Sequence, residues 1–229
     1  MEKEKLIEAI KKFREKRVLV VGDVVLDKYV YGKVERVNPE NPGAPLLRVE
    51  NKEFRLGCAA NVASNVASLG AKAILGCVIG NDYYGNIFEE LCEKRGIRRI
   101  YLKEGVTIIK ERAIESELNQ YLLRSDDGEY ELNGLDEEYE LKLYDLITKE
   151  DVDAIILSDY NKKIFKNGFG KRMVSWANER NIPIFVDPKS ENASSFESAT
   201  LIRPNIHESR KIVDDFKSDA KNVARKLRD

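Results

Sequence analysis

Histidine is almost missing from this chain: among 229 residues only His207 is present. That scarcity excludes zinc sites built on several imidazoles and catalysis by paired histidines, and it argues against a Ser-His-Asp system. His207 stands near an expected helix start and reads as a surface residue. Cysteine is scarce too. Cys58, Cys77 and Cys92 form an odd set with no CxxC spacing, as expected of reduced thiols in a cytoplasmic protein. No apolar run is long enough to span a bilayer, and the N-terminal stretch lacks the apolar core of a signal peptide. Charge of one sign is also lacking. Lysine and arginine number 39 against 40 acids, so no global field draws the chain to nucleic acid or to a membrane. Gly22 opens no GxGxxG fingerprint. The Gly-Lys pair in GFGKRMV (168–174) has Phe165 where a P-loop needs its first glycine and Arg172 where it needs Ser or Thr. NAD, flavin, haem and zinc are therefore not expected.

What is present is alternation. Short aliphatic runs at 18–22, 73–79, 97–101, 153–158, 182–187 and 199–202 read as strands. Amphipathic stretches at 58–69, 84–95, 136–147, 168–180, 205–213 and 217–228 read as helices between them. This order predicts βαβ units and a mostly parallel sheet covered on both faces. An N-terminal helix carrying Leu6, Ile7, Ile10 and Phe13 is expected to pack on the domain. Two regions, about 28–55 and 106–126, keep a period of two with no helix between, and predict a small separate antiparallel sheet. In it Ile108, Lys110, Arg112 and Ile114 share one face, as do Gln120, Leu122 and Arg124. The acidic, turn-rich 126–138 marks the return to the main sheet. The whole chain, 1–229, is read as a single domain.

The strand ends are chemically alike. VLVVGDVVLD (18–27) runs into Asp23 and Asp27. ILSDYNKK (156–163) ends in Asp159 with Lys162 behind it. IFVDPKS (184–190) ends in Asp187 and Lys189, and LIRPNIHES (201–209) supplies Asn205 and Glu208. Ligands of parallel α/β sheets gather at the carboxyl ends of strands. One such acid can be a helix cap. Four strand ends with the same logic suggest a polyhydroxylated, phosphorylated ligand near Mg²⁺. LGCAANVASNVASLGA (56–71) adds Gly57 at an expected tight turn, a helix with Val62, Val66 and Leu69 inward, a stop at Gly70, and Asn61 and Asn65 one turn apart on one face.

Taken in order, VVGDVVLDKYVYG, GCAANVASNVASLGA, TIIKER with NQYLLRSD, LSDYNKK, VDPKS and RPNIHE resemble the ribokinase-like, phosphofructokinase-B type sugar kinases, and among them the heptose-7-phosphate kinases of ADP-heptose synthesis. The motifs run from about residue 18 to 213. The resemblance implies an αβα sandwich with a β-sheet lid and ATP-dependent, Mg²⁺-assisted phosphorylation of a sugar hydroxyl. For the heptose branch it implies a 1,7-bisphosphate product that feeds lipopolysaccharide core synthesis. It further implies that Asp27 and Asp23 bond sugar hydroxyls beside Gly57 and Asn61, with Gln120 and Asp159 near the sugar. Lys110, Arg112 and Arg124 would hold an existing phosphate. Lys162 and Lys189 would line the transfer side. Asn205 and Glu208 would organise ATP phosphates and Mg²⁺ through water, with Asp187 a second metal candidate.

Three departures from the family pattern matter. Cys58 replaces the second glycine of a Gly-Gly pair at the lid hinge. Asn161 and Lys163 stand where the heptose kinases show Ala and Gly. The DTxGAGD segment that supplies the anion hole and the catalytic Asp is not in this sequence, whose last glycine is Gly170. The general base is then expected beyond Asp229, and the chain is expected to be a C-terminally incomplete fragment or half-enzyme, inactive alone. It would work as a homodimer or with a separate chain supplying the rest. The alternative is a non-catalytic sugar-phosphate binder or partner subunit.

Overall fold

The computed structural model of the protein describes residues 3–129, 136–162, 164–215 and 218–228, without the side chains of 227 and 228. Lys163 and residues 130–135, within the acidic stretch 126–138, lie outside the described residues. Six strands form a parallel sheet: β1 (Arg17–Gly22), β4 (Lys72–Ile79), β5 (Arg98–Lys103), β8 (Ala154–Ser158), β9 (Ile184–Asp187) and β10 (Leu201–Ile202), in the order β10-β9-β8-β1-β4-β5. All six expected strands are present.

The central strand β1 shows why the sheet is buried on both sides. Leu19 and Val21 point into one core, with Ile155, Leu157, Met173 and Trp176. Val20 points into the other, with Leu75, Cys77, Ala63 and Phe88. Period-two alternation of aliphatic residues on both faces is the signature of a doubly covered parallel strand. Helices α2 (Ala59–Ser68) and α3 (Tyr83–Lys94) supply the second core; α4 (Glu137–Ile147) and α5 (Phe169–Glu179) supply the first. Helices α6 (Ile206–Ile212) and α7 (Ala220–Arg228) follow β10. The result is the expected αβα sandwich. Gly22 is required where β1 meets β8, since a Cβ there would lie 2.1 Å from the Ser158 carbonyl oxygen.

The N-terminal helix α1 (Lys3–Lys12) forms, but it does not pack as expected. Leu6, Ile7 and Ile10 remain 40–45% exposed, and none of its residues is buried. A short helical turn, Phe13–Glu15, leads from it into β1.

The second sheet, called the lid below, is separate as expected. It holds β2 (Val24–Val37), β3 (Pro45–Cys58), β6 (Ile109–Glu115) and β7 (Gln120–Asp127), in the order β3-β2-β6-β7. It is not wholly antiparallel, because β2 and β6 come from different parts of the chain and pair in parallel. Strand β2 begins one residue after Asp23, so the two acids of the first motif separate: Asp23 stays at the end of β1 and Asp27 rides on the lid. Strand order reverses about β1, whose neighbours β4 and β8 lead to opposite edges, and ligand crevices open at such switch points.

Candidate functional site

At the switch point Asp23 is 6% exposed and its carboxylate is already engaged. Oδ2 accepts the backbone N–H groups of Tyr160 (3.0 Å) and Lys162 (2.9 Å), and Oδ1 accepts that of Ile164 (3.2 Å). Burial outweighs these bonds and pushes its pKa up to about 6. Asp159, 3% exposed, has the same role at the end of the neighbouring strand β8. It accepts from the backbone of Asn161 (2.7 Å) and Lys189 (3.0 Å) and from Asn192 Nδ2 (3.1 Å). Asn161 takes a left-handed backbone (φ 55°) that brings its N–H to this carboxylate. Both acids, expected to contact the sugar, therefore serve as loop anchors. Their oxygens hold the turns that follow β8 and β9.

Asp27 differs. It sits on the lid, with Oδ1 accepting from Arg112 Nη1 at 2.7 Å. Its other oxygen lies against Gly57, where a Cβ would come within 2.6 Å of Oδ2. Gly57 belongs to β3 and not to a tight turn; the close approach of Asp27, not a turn, demands glycine. The unusual backbone belongs to Cys58, with φ 53° and ψ −131°, a region that favours glycine. Burial drives the Cys58 thiol up to about 12, which favours its protonated form.

Strand register fixes which lid residues meet. Asp27 pairs with Lys110 and with Arg55; Tyr29 pairs with Arg112 and with Glu53; Arg112 pairs with Arg124, and Lys110 with Asp126. Lys110, Arg112 and Arg124 thus share the Asp27 face. Gln120 does not. The register shifts between Ala113 and Ile114, leaving Leu122 as an extra residue in β7, and this bulge turns Gln120 to the opposite face at the far end of the strand. Glu129 bridges lid and main sheet: its Oε2 is 2.6 Å from Lys162 Nζ and its Oε1 is 4.0 Å from Lys110 Nζ. Asn61 is exposed on the first turn of α2, one turn from Asn65.

Beyond β8 and β9 lies a pocket of about 210 Å³ lined by Asp187, Lys189, Arg203, Asn205, Glu208 and Tyr160. The Asn-x-x-Glu element is a capping box. Asn205 Oδ1 accepts the N–H groups of His207 (2.9 Å) and Glu208 (3.0 Å), and Glu208 Oε2 accepts that of Asn205 (2.9 Å). Glu208 Oε1 also accepts from Lys189 Nζ. Burial works to raise the Glu208 carboxyl, but Lys189 and the Asn205 N–H together hold it below the usual range. Burial raises Asp187, with Arg203 pulling against it. Among the described residues no group of three metal-ligating side chains occurs. The donors at this pocket are the two carboxylates of Asp187 and Glu208. Such a pair suits Mg²⁺, which keeps several waters and takes phosphate oxygens, and suits no fully protein-bound ion.

Four residues at the site escaped sequence reasoning. Arg55 and Tyr29 lie on the Asp27 face, Glu129 joins the two lysines, and Tyr160 sits between the two halves, its ring 5.8 Å from Lys189 Nζ. Carrying the period-two reading through 53–57 would have found Arg55. The same period places Tyr29 beside Asp27, and nothing local marks Glu129 or Tyr160. His207 is exposed, as expected.

Known proteins resemble this chain along most of its length. It is 36% identical over 205 residues to D-beta-D-heptose 7-phosphate kinase of Bordetella bronchiseptica, matching 89% of this chain and 63% of that protein. It is 37% identical over 195 residues to the bifunctional protein HldE of Helicobacter pylori, matching 83% of this chain and 41% of that protein. The chain thus spans less than two thirds of these relatives' length. In fold it matches phosphofructokinase-2 of Escherichia coli in its tetrameric inhibited form, with TM-score 0.71 and 17% identity, over 92% of this chain and 68% of that one. A putative sugar kinase from Clostridium perfringens gives TM-score 0.66 and 17% identity, over 93% and 65%. The description "pfkB family carbohydrate kinase" matches residues 15–229, and the chain belongs to that family of sugar kinases.

Proposed function

We propose that this chain carries the sugar-phosphate side of an ATP-dependent kinase acting on heptose 7-phosphate. The observation that supports this most is the lid face, where Asp27 lies among Lys110, Arg112 and Arg124 above the carboxyl ends of the parallel strands. A carboxylate accepts two hydroxyl protons in defined directions, so Asp27 orients a diol, and Asn61 adds an amide at the helix start. Guanidinium groups grip a phosphate already on the sugar.

Lys189 and Lys162 face the transfer side, where they neutralise phosphate charge and position the incoming group. Asp187 and Glu208 would hold Mg²⁺ through water, and the bound ion supplies charge neutralisation for phosphoryl transfer. The chain's own residues bind, orient and exclude water. The proton-accepting carboxylate of the family pattern is not among these 229 residues, and none of them is assigned that task.

Calorimetric titration of this polypeptide with heptose 7-phosphate and with the unphosphorylated heptose tests the reading. The phosphorylated sugar should bind at least about tenfold tighter, as one charge-assisted bidentate contact supplies. No ATP turnover at an ordinary kinase rate should accompany binding. Equal affinities would remove the phosphosugar assignment, and brisk turnover by homogeneous protein would remove the division of labour. Phosphosugar binding with no ATP binding would favour the non-catalytic binder.

A further inference from the structure

The lid face carries charge in two rows across its four strands. The first reads Arg55, Asp27, Lys110, Asp126, with alternating sign. The second reads Glu53, Tyr29, Arg112, Arg124, and there the alternation fails. Arg112 and Arg124 oppose each other directly, an arrangement that destabilises a sheet unless an anion joins them. Each is turned aside. Arg112 reaches back to Asp27 at 2.7 Å, and Arg124 forks onto Asp126 with two bonds of 2.7 Å.

Arg55 repeats this pattern on the opposite edge strand. Its Nε and Nη2 donate to Glu53 Oε1 and Oε2, each at 2.8 Å, two residues away on the same strand. Its guanidinium carbon lies 4.5 Å from the centre of the Tyr29 ring, and that of Arg112 lies 5.2 Å from the same centre. One aromatic ring therefore positions two guanidinium groups beside the Asp27 carboxylate. The Arg55 and Arg124 side chains are 51% and 52% exposed, so their carboxylate forks are solvent-screened pairs of small net worth. A phosphate dianion offers each a bidentate, charge-assisted partner instead.

We propose that Arg55 is the third guanidinium of a phosphate subsite on the lid, completed with Arg112 and Arg124, and that Glu53 parks it until a phosphate monoester arrives. The inference rests on the sugar-phosphate reading above and adds to it a specificity-determining residue. The ligand group is a phosphate on a sugar carbon remote from the hydroxyls held by Asp27. Lysine is a poor substitute, because it offers neither the planar fork nor the stacking on Tyr29.

The test is calorimetry on the whole 229-residue chain with heptose 7-phosphate, the unphosphorylated heptose and inorganic phosphate as probes. Arg55→Met should weaken heptose 7-phosphate by about tenfold or more and leave the unphosphorylated sugar unchanged. Arg55→Lys should restore only a fraction of the loss. Glu53→Gln should tighten inorganic phosphate by releasing Arg55. Thermal midpoints of the Arg55 and Glu53 variants should match the wild type, since those two side chains are 51% and 42% exposed. Undiminished phosphosugar affinity in Arg55→Met, or equal loss for both sugars, overturns the inference. If Arg112→Met abolishes phosphate preference while Arg55→Met keeps it, Arg55 alone is excluded and the wider reading stands. If the wild type shows no preference for the phosphorylated sugar, both fall.

Discussion

Asp23 and Asp27 show how little a residue type says without its surroundings. They lie four positions apart, yet one is buried under three backbone N–H groups and the other faces a guanidinium. Burial gives Asp23 a measurable signature. Its folded pKa of about 6 lies above the ordinary 3.8 of an unfolded chain. Below pH 3.8 both states hold the proton and the linkage costs nothing. Between 3.8 and 6 the unfolded chain releases its proton while the folded chain keeps it, so stability is lost as pH rises. By pH 7 the loss reaches about 3 kcal/mol. In Asp23→Asn that slope is absent. Urea denaturation at pH 4 and pH 7 should show the cost of the substitution shrinking toward pH 7. A cost independent of pH would place the folded carboxyl at its ordinary value.

Between elements, Asp82 joins the main sheet to the lid. As N-cap of α3 it accepts the Gly85 N–H at 2.7 Å, and it also accepts the Thr107 N–H (2.7 Å) and hydroxyl (2.9 Å) just before β6. Removing a cap costs about 1 kcal/mol, and leaving the buried Thr107 N–H unpaired adds about 1–3. Asp82→Ala should therefore lower unfolding free energy by about 2–4 kcal/mol in a denaturant titration. Asp82→Asn, which keeps one acceptor oxygen, should lose clearly less. Equal losses would mean that both carboxylate oxygens are needed, since asparagine keeps the size of aspartate and only one of its acceptors. The lid's bulge at Leu122 works at the same scale, because one extra residue decides which β7 side chains join Arg112.

At the scale of the molecule, the two-residue strand β10 is one edge strand of the main sheet among the described residues. Beside it runs a groove lined by Phe196, Leu201, Ile202, Ile212 and Ala224. Leu118, Tyr121 and Leu123 stand 60–76% exposed on the lid. Exposed apolar surface of this kind favours association. We expect a dimer, and light scattering at micromolar concentration should return twice the mass of one chain; a monomer there would refute it. Among the described residues no helix is long and apolar enough to cross a membrane.

The amino-acid sequence by itself determined the elements and their order. Period-two aliphatic runs and 3.6-period stripes are local properties, and every expected strand and helix forms within a few residues of its expected bounds. The family was legible for the same reason, since its motifs are short words at strand ends. What the tertiary structure decided was which polar residues remain available to a ligand. Asp23 and Asp159 closed onto backbone N–H groups, most of them from distant loops. Gln120 turned away at a bulge, and Glu129 entered the site from the bend after β7, where no local pattern marks it. Hydrogen-bond partners, register and burial join residues far apart in sequence, so they are settled only when the sheet and its lid come together.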